Sequence, residues 1–312
     1  MQTFPLDGLW FNLELSVSCG QAFRWRKHGD IWYAPSPYGD PVVWKVRQTD
    51  EGIGYEGMSE GDLIRHFSLD HNLADILSRI DCDPLIHDAI VRCRGLRIMR
   101  QDPWECLISY ICSSCANIPG IQMRIENLAE KYGTKMFCDN KIFYSFPQPG
   151  TIAAAPVCDI RSCKVGYRDA YICGAAAMAS ENPGWQDAVR SLSYPEAQKK
   201  LCELNGVGPK VADCVLLFAF EKFEAVPVDV WIERILRTKY VGGEKKLAYA
   251  KAGAYAREHF GKFAGCVTGM RRCIRFLILR HLFMNTVKRG RFRRCRSRGR
   301  LPVSIRKGNS SG

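Results

Sequence analysis

The sequence predicts an α+β fold, in which a small antiparallel β-sheet domain at the N-terminus is followed by a mainly helical body. Three observations carry this. Residues 1 to about 57 hold short apolar runs that alternate with polar residues and are cut by Gly and Asp. From about residue 60 the apolar spacing turns helical. The stretch from Leu201 to Trp231 reads as helix, tight hairpin, helix, loop, helix. An apolar content of 46% over 312 residues is ample for a packed core.

In the β-rich region, Phe23 and Trp25 are spaced by two, as are Trp32 and Ala34. The whole of WFNLELSVSCGQAFRWRKHGDIWYAP has this strand-like character. Pro35, Pro37, Gly39 and Pro41 mark a loop, Val42 to Val46 another strand, and GIGYEG the end of the sheet. Short amphipathic helices follow at Gly61 to Phe67, Leu73 to Arg79 and Pro84 to Gly95. Asp102 and Pro103 open PWECLISYICSSCAN, apolar nearly all round and therefore expected to be buried. IQMRIENLAEKYG is helical and ends at Gly133. A connector rich in Pro and Ala spans Ser145 to Pro156, and a glycine turn at Gly166 precedes another helix. Ser193 and Glu196 have capping-box spacing at the start of the helix that runs into the hairpin. EKKLAYAKAGAYAREHFGKFAG is helical to about Phe260.

The hairpin is the chemically informative stretch. Gly206-Val207-Gly208 permits a positive φ and close approach of another backbone. Pro209 suits the first turn of the next helix, where its missing N–H would have no partner. A helix opened this way points backbone N–H groups outward and favours an anion such as a DNA phosphate. Lys210, in that first turn, sits at the positive end of the helix dipole, which favours the neutral amine that attacks carbon. Asp229, in Pro-Val-Asp-Val, is placed to cap a helix starting near Val230. A carboxylate returning to the lysine can stabilise a cationic sugar or move protons.

The net charge of +13 suggests a nucleic-acid partner, but its distribution is uneven. Twelve arginines, two lysines and no acidic residue lie beyond Met270, leaving 31 basic against 32 acidic residues before it. Contacts of the body with DNA must therefore come from local geometry. The fifteen cysteines are scattered, and MQTFPLDGLW has no signal-peptide pattern, so reduced thiols in an intracellular setting, cytoplasm or nucleoid, are expected. No stretch reaches eighteen uncharged apolar residues, so no membrane partner is expected. The six histidines show no ligand spacing, and Cys112 with Cys115 falls inside a buried helix without a second pair. Neither a metal nor a small-molecule cofactor is expected. Trp231, two residues after Asp229, either lines the site or packs, and packing is the favoured reading.

LNGVGPKVADCVLLFAFEKFEAVPVDVW resembles the helix-hairpin-helix and Gly/Pro/Asp loop of the DNA glycosylase superfamily. SCGQAFRWR, QDPWECLISYICSSCANI and VGYRDAYI narrow the resemblance to the 8-oxoguanine DNA glycosylase branch. The four stretches stand in the right order over residues 1 to about 265. The resemblance implies an N-terminal TBP-like domain over residues 1–85 and a helical catalytic region over 86–265, with the helix-hairpin-helix at about 199–222. It further implies a bifunctional glycosylase/AP lyase acting as a monomer on damaged double-stranded DNA. Lys210 would be the nucleophile and Asp229 its acidic partner. Gly20 matches the glycine whose carbonyl senses the N7 hydrogen of 8-oxoguanine, and Cys214 matches a pocket residue against the base. Gly206, Gly208 and Val211 fall at the phosphate-binding hairpin. Asn117, Tyr167 and Arg168 match residues that enter the duplex and read the opposite cytosine.

Two departures matter. Cys115, Ala116 and Gly120 replace the usual asparagines and arginine, leaving Asn117 alone of that motif, so relaxed discrimination of the opposite base is expected. After Gly265 the family places a glutamine and an aromatic residue against the damaged base. The corresponding positions here are about Thr268 and Arg272. The basic segment 266–312 is open to three readings: a nucleic-acid-binding arm, translation in a shifted frame, or a structural helix with a disordered end. A second function class stays open beside the enzyme, a DNA-binding module with impaired catalysis or a lyase-only remnant.

Overall fold

A computed structural model of the chain describes residues 1–270. The basic segment beyond Met270, with Arg272, lies outside the described residues. The N-terminal part comprises β1 (Gln2–Phe4), α1 (Leu13–Ser18), β2 (Arg26–His28), β3 (Ile31–Pro35), β4 (Val43–Thr49), β5 (Gly52–Glu56) and α2 (Glu60–His66). Its five strands form one antiparallel sheet in the order β1-β5-β4-β3-β2. Trp25, Trp44, Val46 and Ile53 pack there with Phe67 and Leu63. His66 is buried in the same cluster, with its ring 5.1 Å from those of Trp44 and Phe67 and 5.7 Å from that of Trp25. Burial pushes its pKa down to about 3.

The helical body runs through α3 (Leu73–Ile80), α4 (Pro84–Arg92), α5 (Pro103–Cys112) and α6 (Ile118–Tyr132) to a hairpin, β6 (Lys135–Cys138) and β7 (Lys141–Tyr144). It continues through α7 (Pro149–Ala153), α8 (Val157–Ile160), α9 (Asp169–Glu181), α10 (Trp185–Ser191), α11 (Tyr194–Leu201) and α12 (Pro209–Phe220). It ends with α13 (Val230–Ile235), α14 (Tyr249–Phe260) and α15 (Ala264–Gly269). Every residue of α5 except Glu105 is buried, which fits its lack of a polar face. It lies against α12, where Tyr110 and Phe218 stack with centroids 5.6 Å apart. A second apolar cluster joins α3, α4, α13 and α14.

Two stretches differ from the sequence expectation. Leu13–Ser18 is a helix, not a strand, because the Asn12 side chain accepts from Leu15 N and starts a turn that alternation alone does not reveal. Residues 135–144 form a hairpin. Asp139 and Asn140, both at positive φ (49° and 58°), make the two-residue turn that such a hairpin needs. This hairpin folds back on the N-terminal sheet, where Phe143 stacks on Tyr33 and Asp139 accepts from the Tyr33 hydroxyl at 2.9 Å. Twelve of the described cysteines are free thiols.

Candidate active site

Between the N-terminal part and the helical body lies a cleft of about 820 Å³. Four segments line it: Ser18 to Gly20 after α1, Tyr110 and Ser113 to Ile118 around the end of α5, Lys210 at the start of α12, and Val228 to Trp231 at the start of α13. Residues far apart in sequence, Gly20, Asn117, Lys210 and Asp229, thus share one wall-to-wall space.

Lys210 is half-buried in the first turn of α12. Its ammonium donates to Ser113 Oγ at 3.3 Å and lies 5.6 Å from the centre of the Tyr110 ring. Ser113 is itself fixed, donating to the Tyr110 carbonyl at 2.7 Å. Serine and ring together aim the amine along the cleft. No side chain caps α12, and Gly208 occupies the cap position, so the opening N–H groups face outward. A Cβ on Gly208 would meet nothing within 4 Å. Gly206 is at φ +82°, and a Cβ there would lie 2.3 Å from Tyr171 Cγ, so the hairpin is seated on that ring. Val211 is 5% exposed, with its side chain in the core.

Asp229 is the N-cap of α13. Its Oδ1 accepts from Trp231 N at 2.9 Å and Ile232 N at 2.8 Å. Capping with one oxygen fixes the plane of the carboxylate at the cleft wall. Trp231 lines the cleft, with the Arg234 guanidinium 4.8 Å over its ring.

Gly20 takes φ +90°, a conformation natural to glycine. The next residue anchors it. Buried Gln21 donates through Nε2 to Ser16 O and Arg97 O, both at 2.8 Å, and accepts from Met99 N at 2.9 Å. Its carbonyl accepts from Gln101 Nε2 and the Tyr110 hydroxyl. Every side-chain bond of Gln21 goes to backbone, so the glycine turn is fastened to both halves of the molecule.

The remaining candidates divide. Cys214 is buried one turn after Lys210 and does not line the cleft. Asn117, at the cleft mouth, caps α6, with its Oδ1 accepting from Gly120 N at 2.9 Å. Tyr167 is 57% exposed. Arg168 is 4% exposed, and its guanidinium lies 4.4 Å over the Tyr167 ring. That guanidinium donates to Ser114 O and, at 3.1 Å, to Val165 O. Thr268 is buried in α15, donating to Gly265 O at 2.6 Å, and does not line the cleft. Ser113 and Gln21 escaped sequence reasoning. Nothing in their spacing marks them, although both lie inside the motifs that carry the family resemblance.

A family model described as the 8-oxoguanine DNA glycosylase N-terminal domain matches residues 4–107. The N-glycosylase/DNA lyase OGG1 of Arabidopsis thaliana is 31% identical over 272 residues, which is 81% of this chain and 74% of the plant protein. The N-glycosylase/DNA lyase of Saccharomyces cerevisiae is 30% identical over 256 residues, covering 72% of this chain and 67% of the yeast protein. The Clostridium acetobutylicum 8-oxoguanine glycosylase/lyase, solved in complex with double-stranded DNA containing cytosine opposite 8-oxoguanine, superposes with a TM-score of 0.78. That match is 29% identical and covers 84% of this chain and 90% of the bacterial one. The fold is that of the helix-hairpin-helix DNA glycosylases. Within that class, the chain belongs to the 8-oxoguanine DNA glycosylase family.

Proposed function

We propose that this chain excises 8-oxoguanine from duplex DNA and then cuts the strand at the resulting abasic site. The observation that carries the reading is the convergence of Lys210, Asp229 and Gly20 on one cleft. The damaged nucleotide is extruded from the stack, since C1′ cannot be attacked within a duplex. The Lys210 amine, once neutral, bonds to C1′ as the C1′–N9 bond breaks, and the base departs with a proton. Asp229, held by the α13 amides, stabilises the positive charge that develops on the sugar. The resulting imine permits β-elimination of the 3′ phosphate. Gly20 reads the N7 hydrogen through its carbonyl, and undamaged guanine, with a lone pair there, is repelled. The hairpin from Gly206 to Val211 holds a phosphate by backbone N–H groups. Residues 1–85 carry base sensing and 86–265 the chemistry. The enzyme acts as a monomer where the DNA lies, and no helix among the described residues is long and apolar enough to cross a membrane.

Borohydride trapping tests this reading. Incubation with an 8-oxoguanine duplex and borohydride yields a covalent complex that Lys210→Gln loses. A second reading, a lyase-only remnant or a DNA-binding module, is favoured by the position of Thr268, which faces its own helix and not the cleft. Trapping on an abasic duplex but not on 8-oxoguanine establishes the remnant. DNA binding with no trapping on either establishes the module.

Opposite the lesion, Arg168 is held by two backbone carbonyls and position 120 offers no side chain. Excision is expected to vary little between C, A, G and T opposite the lesion. Each lost bidentate contact removes about 1–3 kcal/mol of discrimination. A strong preference for C refutes that expectation.

A further inference from the structure

Outside the cleft, Cys82, Asp83 and His259 meet where the α3–α4 turn touches the end of α14. Among the described residues this is the one place where three potential metal-ligating side chains converge. Cys82 Sγ lies 3.5 Å from His259 Nε2 and 3.6 Å from Asp83 Oδ2, and Nε2 lies 3.8 Å from Oδ2. Zinc bonds of about 2.3 Å to sulfur and about 2.0–2.2 Å to nitrogen and oxygen, at tetrahedral angles, separate such donors by about 3.3–3.7 Å. The two edges to sulfur already match, and the nitrogen–oxygen edge, expected at about 3.3–3.5 Å, is wider by about 0.3–0.5 Å and closes by a small rotation of the imidazole.

The donors are also oriented from behind. Asp83 Oδ1 is occupied as the N-cap of α4, accepting from Leu85 N and Ile86 N. Its Oδ2 is thereby turned to the cluster, where it accepts from the Tyr240 hydroxyl at 2.8 Å. The His259 ring is held between Tyr255, stacked at 5.7 Å, and Tyr240, edge-on at 5.0 Å. The Tyr240 bond to Asp83 is the kind of outer hydrogen bond that ligating carboxylates usually have. Thiolate, imidazole and carboxylate form the borderline-soft set that suits Zn²⁺ over Mg²⁺ or Ca²⁺.

We propose that Cys82, Asp83 and His259 bind one Zn²⁺, with water as the fourth ligand, and so staple the α3–α4 turn to α14. Binding breaks the Cys82 S–H bond, forms Zn–S, and releases that proton to solvent. The thiol otherwise donates to Asp83 Oδ2.

The test uses the full chain, stripped by chelator and titrated with Zn²⁺ against a chromophoric chelator. One equivalent is expected, accompanied by proton release and a rise in unfolding temperature. Co²⁺ in its place is expected to show sulfur-to-metal charge-transfer absorption. Cys82→Ser and His259→Gln each remove the equivalent and the Co²⁺ band. Tyr240→Phe weakens affinity about tenfold, whereas Cys158→Ser, an exposed thiol elsewhere, changes nothing. Absence of Zn²⁺ uptake by the unaltered chain overturns the proposal. So does a Cys82→Ser chain that binds with unaltered stoichiometry and affinity, since the metal would then sit on other cysteines.

Discussion

Asp229 holds two roles on one side chain, and substitution separates them. The cap needs only an acceptor at Oδ1, which asparagine also supplies. Asp229→Asn is therefore expected to unfold within about 0.5 kcal/mol of the parent while losing most imine formation. Asp229→Ala is expected to cost about 1 kcal/mol more in stability. Urea unfolding beside borohydride trapping checks the pair, and a parallel loss of stability and trapping in Asp229→Asn would refute the division. Ser113 offers a milder perturbation. Its hydroxyl positions the Lys210 amine at 3.3 Å. Ser113→Ala removes one hydrogen bond to a charged group, on the order of 1.5 kcal/mol, and should slow single-turnover trapping about tenfold without lowering stability comparably.

At the scale of the element, the hairpin between α11 and α12 uses its two glycines differently. Gly206 needs its missing Cβ twice, for φ +82° and for the Tyr171 ring 2.3 Å away. Gly208 sits at φ −87° with open space around it. Gly206→Ala should destabilise by at least about 1–3 kcal/mol and weaken duplex binding. Gly208→Ala should leave stability nearly unchanged, as thermal unfolding and fluorescence anisotropy would report. The sequence named both glycines, and it named Lys210 and the Asp229 cap, because turn and cap chemistry is local and written in adjacent residues. Ser113 and Gln21 were not legible. Their roles arise from contacts 97 and 76–80 residues away in the chain, which no local pattern encodes. Strand alternation misled at Leu13–Ser18, where one capping asparagine outweighed it.

Across the whole molecule, acid sensitivity traces to a buried imidazole. His66 is fully buried among aromatic rings and stays neutral down to about pH 3 in the folded chain. Once unfolded it takes up a proton near pH 6.5. Its contribution is fully present above pH 6.5 and is lost as pH falls from there toward 3. At pH 4.5 the parent should have lost about 2–3 kcal/mol from this group alone. His66→Phe, which keeps the aromatic packing, should lack that loss when denaturant unfolding is compared at pH 7 and 4.5. The fold class was legible from the change of apolar period near residue 60. The β6–β7 return was not, since strand pairing records nothing of which sheet a hairpin will cover.

That return bears on how the protein is made. Tyr33 and Val43 of the first sheet are covered by Met136 and Phe143. When synthesis has reached residue 107, the end of the span matched by the family model, Tyr33 and Val43 still lack that cover. The N-terminal lobe must wait, partly open to chaperones and to neighbouring chains, until about forty more residues have emerged to roof it. Boundaries drawn from similarity and boundaries obeyed during synthesis are therefore different lines in this chain.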